Sequence, residues 1–193
     1  MELNLGKQKF LTIKDNNSSN CRTKLWHQFN GKCIQLSNIQ TKMMLDGLDI
    51  IDNGANIAWE HLNAESKREY QYHLGYGVNL TLSLYQGARY YDIRKWWLPE
   101  NSNTPRPTRV GITLNASQMT LLCQSRNAIM QTIPELEEIE PCQCFLDIVS
   151  YAKCLRCNPW TKIIQPTNQT SDTPDNVLSE SEIKDLMYEW NIL

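Results

Sequence analysis

The chain contains no apolar run approaching the roughly 18 residues that a membrane-spanning helix requires, so no membrane partner is expected. Its opening residues, MELNLGKQKF, lack the apolar core of a secretory signal, which predicts a nuclear or cytoplasmic protein that is not secreted. Histidine is scarce: His27, His61 and His73 lie far apart in the sequence. There is no phosphate-cradling glycine loop and no nucleophile with an evident base, so an enzyme is not expected. Without a secretory context the seven cysteines read as thiols or metal ligands, not as a disulfide framework.

The composition, 41% hydrophobic and 21% charged, is that of a globular chain. Its charge is unevenly spread. Residues 1–50 carry seven Lys/Arg against four Asp/Glu and residues 74–133 carry six against two, whereas residues 134–193 carry four against eleven. Basic segments ahead of an acidic tail suggest a polyanion for the former and a different partner for the latter.

The sequence repeats itself. The stretch Leu74–Trp97, LGYGVNLTLSLYQGARYYDIRKWW, has a fainter copy beginning LGKQKFLTIKD at Leu5. Gly6, Leu11, Thr12 and Ile13 align with Gly75, Leu80, Thr81 and Leu82 at an offset of 69 residues. Further on, Ile34, Leu36, Gln40 and Met44 align with Ile112, Leu114, Gln118 and Leu122 at an offset of 78. Such self-similarity means one structural unit used twice.

In the second copy Val78, Leu80, Leu82 and Leu84 alternate with Asn79, Thr81, Ser83 and Tyr85, which predicts a strand with one apolar and one polar face. Arg89–Trp97 reads as a second strand, and Leu98–Thr108, with prolines at 99, 105 and 107, as a loop. Arg109–Leu114 is a third strand. Asn115 with Gln118 then forms a capping box for a helix whose buried stripe is Met119, Leu122, Ile129 and Ile133. The first copy follows the same order: strand Lys9–Lys14, a polar loop, strands near Arg22–Phe29 and Lys32–Leu36, and a helix capped by Ser37 with Gln40. Strands followed by a helix, twice, predicts an α+β fold with mostly antiparallel sheet.

The expected organisation is a degenerate first repeat over 1–53, a partly helical linker over 54–73 and a second repeat over 74–140. A cysteine-rich segment over 141–160 and an acidic tail over 161–193 with a terminal amphipathic helix complete the chain. Cys142, Cys144, Cys154 and Cys157 admit two readings, a zinc site of four thiolates or small core residues on an amphipathic helix. No other cofactor is implied. The tail segment SESEIKDLMYEWNIL offers Ile183, Leu186, Met187, Trp190 and Leu193 at helical spacing, to dock a protein partner or to pack on its own domain.

The strand–turn–strand ending in Asp92-Ile93-Arg94 and Trp97, followed by a basic loop, Gly111-Ile112-x-Leu114 and a helix with an early Gln118, resembles the Positive Cofactor 4 family of transcriptional coactivators. That resemblance implies curved, antiparallel four-stranded sheets, each with a helix behind it, paired into a saddle that grips single-stranded DNA. Family members carry one copy and dimerise. Two copies in one chain imply an intramolecular pseudo-dimer, with a homodimer of chains as the alternative.

The resemblance places Tyr85 and Trp97 as base-stacking aromatics, Arg94 as a backbone contact and Lys7 as a family lysine. Tyr76 and Ala88 stand where the family has further lysines, a departure that Arg89, Arg106 and Arg109 would offset. Lys9, Lys14, Lys24 and Lys32 supply cations in the first copy, and Phe10 and Trp26 supply aromatic faces; Lys24 is set opposite Arg94 and Trp26 opposite Trp96. The competing reading of Arg94 is a surface pair with Asp92 or Glu100. Single-stranded-DNA binding in transcription or replication is thus the leading function. A protein adaptor that kept the fold but lost DNA binding, and a single-stranded-RNA binder, are its rivals. The duplicated, diverged architecture would suit a viral protein.

Overall fold

The computed structural model describes residues 1–14, 22–48, 70–85, 88–99 and 105–142. Two four-stranded antiparallel meanders dominate it, in the orders β1-β2-β3-β4 and β5-β6-β7-β8. The N-terminal sheet comprises β1 (Glu2–Gly6), β2 (Lys9–Lys14), β3 (Arg22–His27) and β4 (Cys33–Leu36). The C-terminal sheet comprises β5 (Tyr70–Gly75), β6 (Val78–Tyr85), β7 (Ala88–Trp97) and β8 (Arg106–Asn115). A helix follows each sheet: α1 over residues 38–48, and α2 (Ala116–Gln124) continued by α3 (Arg126–Thr132). Both expected capping boxes form. Ser37 and Gln40 exchange bonds of 3.0 and 3.3 Å, and Asn115 and Gln118 exchange bonds of 3.0 and 2.9 Å.

The first hairpin of each sheet turns in the same unusual way. Gly6, Lys7 and Gln8 have φ of 81°, 46° and 64°, and Gly75, Tyr76 and Gly77 have 82°, 55° and 76°. Two consecutive left-handed residues make a type I′ turn, whose twist suits a two-residue hairpin. The glycine before it carries a bulge, seen as a register shift after Asn4 and again after His73.

One apolar cluster joins both sheets. Leu11, Leu25, Ile34 and Leu36 of the first meet Leu80, Ile93, Ile112 and Leu114 of the second, with Met44, Leu48, Met119, Leu122, Ile129 and Ile133 from the helices. These are the alternating strand positions and helical stripes that the sequence pattern predicts.

Three expectations need correction. The polar run ahead of Leu74 does not stay linker to residue 73, because Tyr70–Gly75 is a strand paired with β6. The proline-rich loop ends earlier than expected, since β8 starts at Arg106 with Pro107 opposite Trp96. β8 is an edge strand, where a missing N–H is tolerated. Finally, β6 has no wet face over its first half: Asn79 and Thr81 are buried along with Val78, Leu80 and Leu82. The linker helix ahead of residue 70, Ile51, Cys144, Cys154, Cys157 and the acidic tail lie outside the described residues. Among the described residues no helix is long and apolar enough to cross a membrane.

Candidate nucleic-acid interface

Each sheet turns one face to the shared core and has a second, outer face. On the N-terminal sheet the outer face is built by cross-strand neighbours, Phe10 opposite Trp26 and Thr12 opposite Lys24. The rings of Phe10 and Trp26 stack with centroids 4.8 Å apart and planes inclined by 23°. The indole Nε1 of Trp26 donates to Thr12 Oγ1 at 2.8 Å, which fixes the ring plane, and Lys24 Nζ stands 5.9 Å from the ring centroid. Both aromatics are half-buried, so the pair is a fixed flat surface with a cation beside it. A cation in that position is worth about 0.5–1 kcal/mol at an exposed site.

The register also corrects the alignment of the two copies. Thr12 faces Lys24, while the aligned Thr81 faces Asp92. Lys24 therefore corresponds to Asp92 and Trp26 to Arg94, two residues away from the expected match. The stacked pair of the first sheet is replaced in the second by Asn79 and Arg94, which face each other.

Arg94 does not extend toward solvent. Its Nε and Nη2 donate to the two carboxylate oxygens of Asp92 at 2.6 and 2.8 Å, and its Nη1 donates to the Thr108 carbonyl at 2.8 Å. The same carboxylate accepts from Thr113 Oγ1 at 2.8 Å. The bond to Asp92 raises the Arg94 pKa against the opposing effect of burial, so the guanidinium stays charged and held. Gly111 makes room for it: a Cβ there would lie 2.8 Å from the Ile93 carbonyl and 2.9 Å from Arg94 Cγ. With Asn79 and Thr81 buried beside it, this part of the second outer face is closed.

The remaining predicted residues are dispersed. Trp97, 51% exposed, ends β7 opposite Arg106, and Arg109 is exposed on β8. Trp96 is the more buried of the adjacent tryptophans. Tyr85 ends β6 opposite Ala88, but its side chain lies outside the described residues. Lys14 ends β2 opposite Arg22. Lys7 occupies a hairpin tip, and Lys32 precedes β4.

Lys9 is not on the polar face. Its ammonium crosses to the other sheet, donating to the Thr113 carbonyl and to Gln118 Oε1 at 3.1 Å. Burial, then the charges of Lys7 and Lys32, lower its pKa from the ordinary 10.5. An open groove of about 700 Å³ lies here, lined by Lys7, Lys9 and Arg89 together with Thr113, Asn115 and Ser117. Of the four cysteines proposed for zinc, only Cys142 is described, and it is buried.

Two bonds that sequence reasoning missed tie the halves together. Gln118 Nε2 donates to the Gly6 carbonyl at 2.8 Å, and Gln40 Nε2 donates to the Gly75 carbonyl at 3.1 Å. The capping-box glutamines and the turn glycines were each visible as aligned pairs. Only the fold reveals that each glutamine serves the hairpin glycine of the other sheet.

Residues 73–125, which run from the end of β5 through α2, match the family model described as Transcriptional Coactivator p15 (PC4). No curated protein and no solved structure matches the chain.

Proposed function

We propose that this chain binds single-stranded nucleic acid, DNA before RNA, in transcription or replication, and that two tandem sheet–helix units pair within one chain as a pseudo-dimer. The observation that carries the reading is the Phe10–Trp26 stack with Lys24 beside it on the outer sheet face. A protein that holds unpaired strands needs flat faces for bases and cations for phosphates, and bases of any identity can stack. The match of residues 73–125 to a coactivator family supports the same class of ligand from the other half of the chain. The reciprocal bonds from Gln118 to Gly6 and from Gln40 to Gly75, with the shared apolar cluster, support the internal pairing.

Binding shifts to the first copy in this reading. The Trp26 and Lys24 positions, held in the second copy by the interlocked Arg94 and Asp92, carry the stacking surface there. The closed part of the second outer face favours a scaffolding role for that half. The test is a fluorescence-anisotropy titration of a labelled oligonucleotide, single-stranded against duplex, at two salt concentrations. Salt-sensitive preference for the single strand is expected; equal or absent binding would contradict the function.

A further inference from the structure

A homodimer must present two identical seams between its units, but an internally duplicated chain is free to let them diverge. Here they have done so. One seam joins the first hairpin of the N-terminal sheet to β8 and the start of α2, and it carries Lys7, Lys9 and Lys32. At the aligned positions the other seam has Tyr76, Val78 and Val110. Every one of three lysines is thus replaced by an uncharged residue. Among the described residues the second groove is lined by Gln35, Ser37, Gln40, Tyr76, Val78 and Lys95, of which Lys95 alone is a cation. Tyr76 and Val110 are 43% and 48% exposed, so these substitutions alter the surface presented to a ligand.

The lysine seam is adjacent to the stacking surface. Lys9 directly precedes Phe10 with its side chain on the opposite face of β2, the hairpin tip that carries Lys7 leads into the same strand, and Lys32 directly precedes Cys33, the residue opposite Trp26. The Lys32 carbonyl also accepts from the His27 backbone at 2.9 Å, which holds its turn against the end of β3. No carboxylate lines this groove among the described residues, and Lys9 contacts only neutral oxygens. Lys9 thus meets no counter-charge among its described partners. Burial first, then repulsion from Lys7 and Lys32, lowers the Lys9 pKa, and an anion would relieve the repulsion.

We propose that the chain carries one asymmetric track for one strand, whose bases stack at Phe10 and Trp26 and whose phosphates continue across the seam of Lys7, Lys9 and Lys32, while the Tyr76–Val78–Val110 seam holds no phosphate. This rests on the single-strand reading above and adds its path and stoichiometry.

The test compares the full chain with Lys7→Asn/Lys32→Gln and with Lys95→Gln, using oligothymidylates of about 5 and about 15 nucleotides. Asparagine is chosen at position 7 because it tolerates the left-handed backbone there. The seam double variant should bind the long strand roughly tenfold more weakly, with a salt slope lower by about 1.4 for two lost phosphate contacts. Its binding to the short strand should be nearly unchanged. Lys95→Gln should leave both unaltered, and titration with the long strand should saturate at one strand per chain. Equal losses on both lengths, no loss on either, a Lys95 effect as large as the seam effect, or two strands per chain would each overturn the proposal. Phe10→Ala/Trp26→Ala serves as the separate control on the functional reading, since it should weaken both lengths. If the unaltered protein binds no single strand, the functional reading falls and the track falls with it.

Discussion

Gln118 donates its side-chain amide to the carbonyl of Gly6 at 2.8 Å across 112 residues of chain. The same side chain closes the capping box of α2 through Asn115 and accepts from Lys9, so one buried amide serves helix start, hairpin turn and seam together. Gln40 repeats the first two roles toward Ser37 and Gly75 but has Val78 where Gln118 has Lys9.

Gln118→Leu keeps the volume and removes the three side-chain bonds, to Asn115, Gly6 and Lys9. It should destabilise the protein by about 2–3 kcal/mol, and Gln40→Leu by about 1–2 kcal/mol, as expected for buried partners left unsatisfied. Urea denaturation with a single cooperative transition measures both. If the halves unfolded separately, the seam bonds would not couple them.

Internal pairing predicts a particle of one chain. Light scattering should give a mass near the 22.4 kDa of the monomer. A stable two-chain species would return the architecture to ordinary dimerisation.

The clasp on Arg94 can be opened from either side. Asp92→Asn removes the charge that holds the guanidinium, and Gly111→Ala forces a Cβ to within 2.8 Å of the Ile93 carbonyl. Each should cost about 1–3 kcal/mol in stability. Asp92→Asn should also raise single-strand affinity modestly by adding a released cation, whereas Asp92→Asn/Arg94→Gln should not.

Binding should be sensitive to alkaline pH through Lys9. Its pKa in the folded protein lies below the ordinary 10.5 that the unfolded chain restores. Between the two values the unfolded state binds more protons, so the stability of the free protein rises with pH across that window. A bound polyanion favours the ammonium and raises the folded pKa. Titration calorimetry in alkaline buffers of different ionisation heat should therefore show proton uptake on binding, and Lys9→Met should abolish it.

Much of the fold was legible in the sequence because it is set by local patterns. Alternation marks β2, β6 and the second half of β8, aromatic residues mark β7, and the paired Ser37–Gln40 and Asn115–Gln118 spacings mark both helix starts. β5 was missed because its residues follow a polar run with strong helix propensity, and pairing with β6 overrides that preference. The alignment of Lys24 and Trp26 slipped by two because the first copy lacks the Asp-Ile-Arg landmark; cross-strand register, which is not local, corrects it. Resemblance assigns Arg94 to the nucleic-acid backbone, whereas the competing pair with Asp92 describes its contacts. The stacked pair could be anticipated as two aromatics but not as neighbours, since 16 residues separate Phe10 from Trp26.

The most direct test of single-strand recognition by the first copy is an anisotropy titration of Phe10→Ala/Trp26→Ala beside Arg94→Gln/Trp97→Ala, with folding of each checked by circular dichroism. Each stacked base lost costs about 1–3 kcal/mol, so the first variant should bind single-stranded DNA at least tenfold more weakly than the parent and the second within about threefold of it. Unchanged binding by the first variant, with loss in the second, would contradict the account and return the site to the C-terminal sheet.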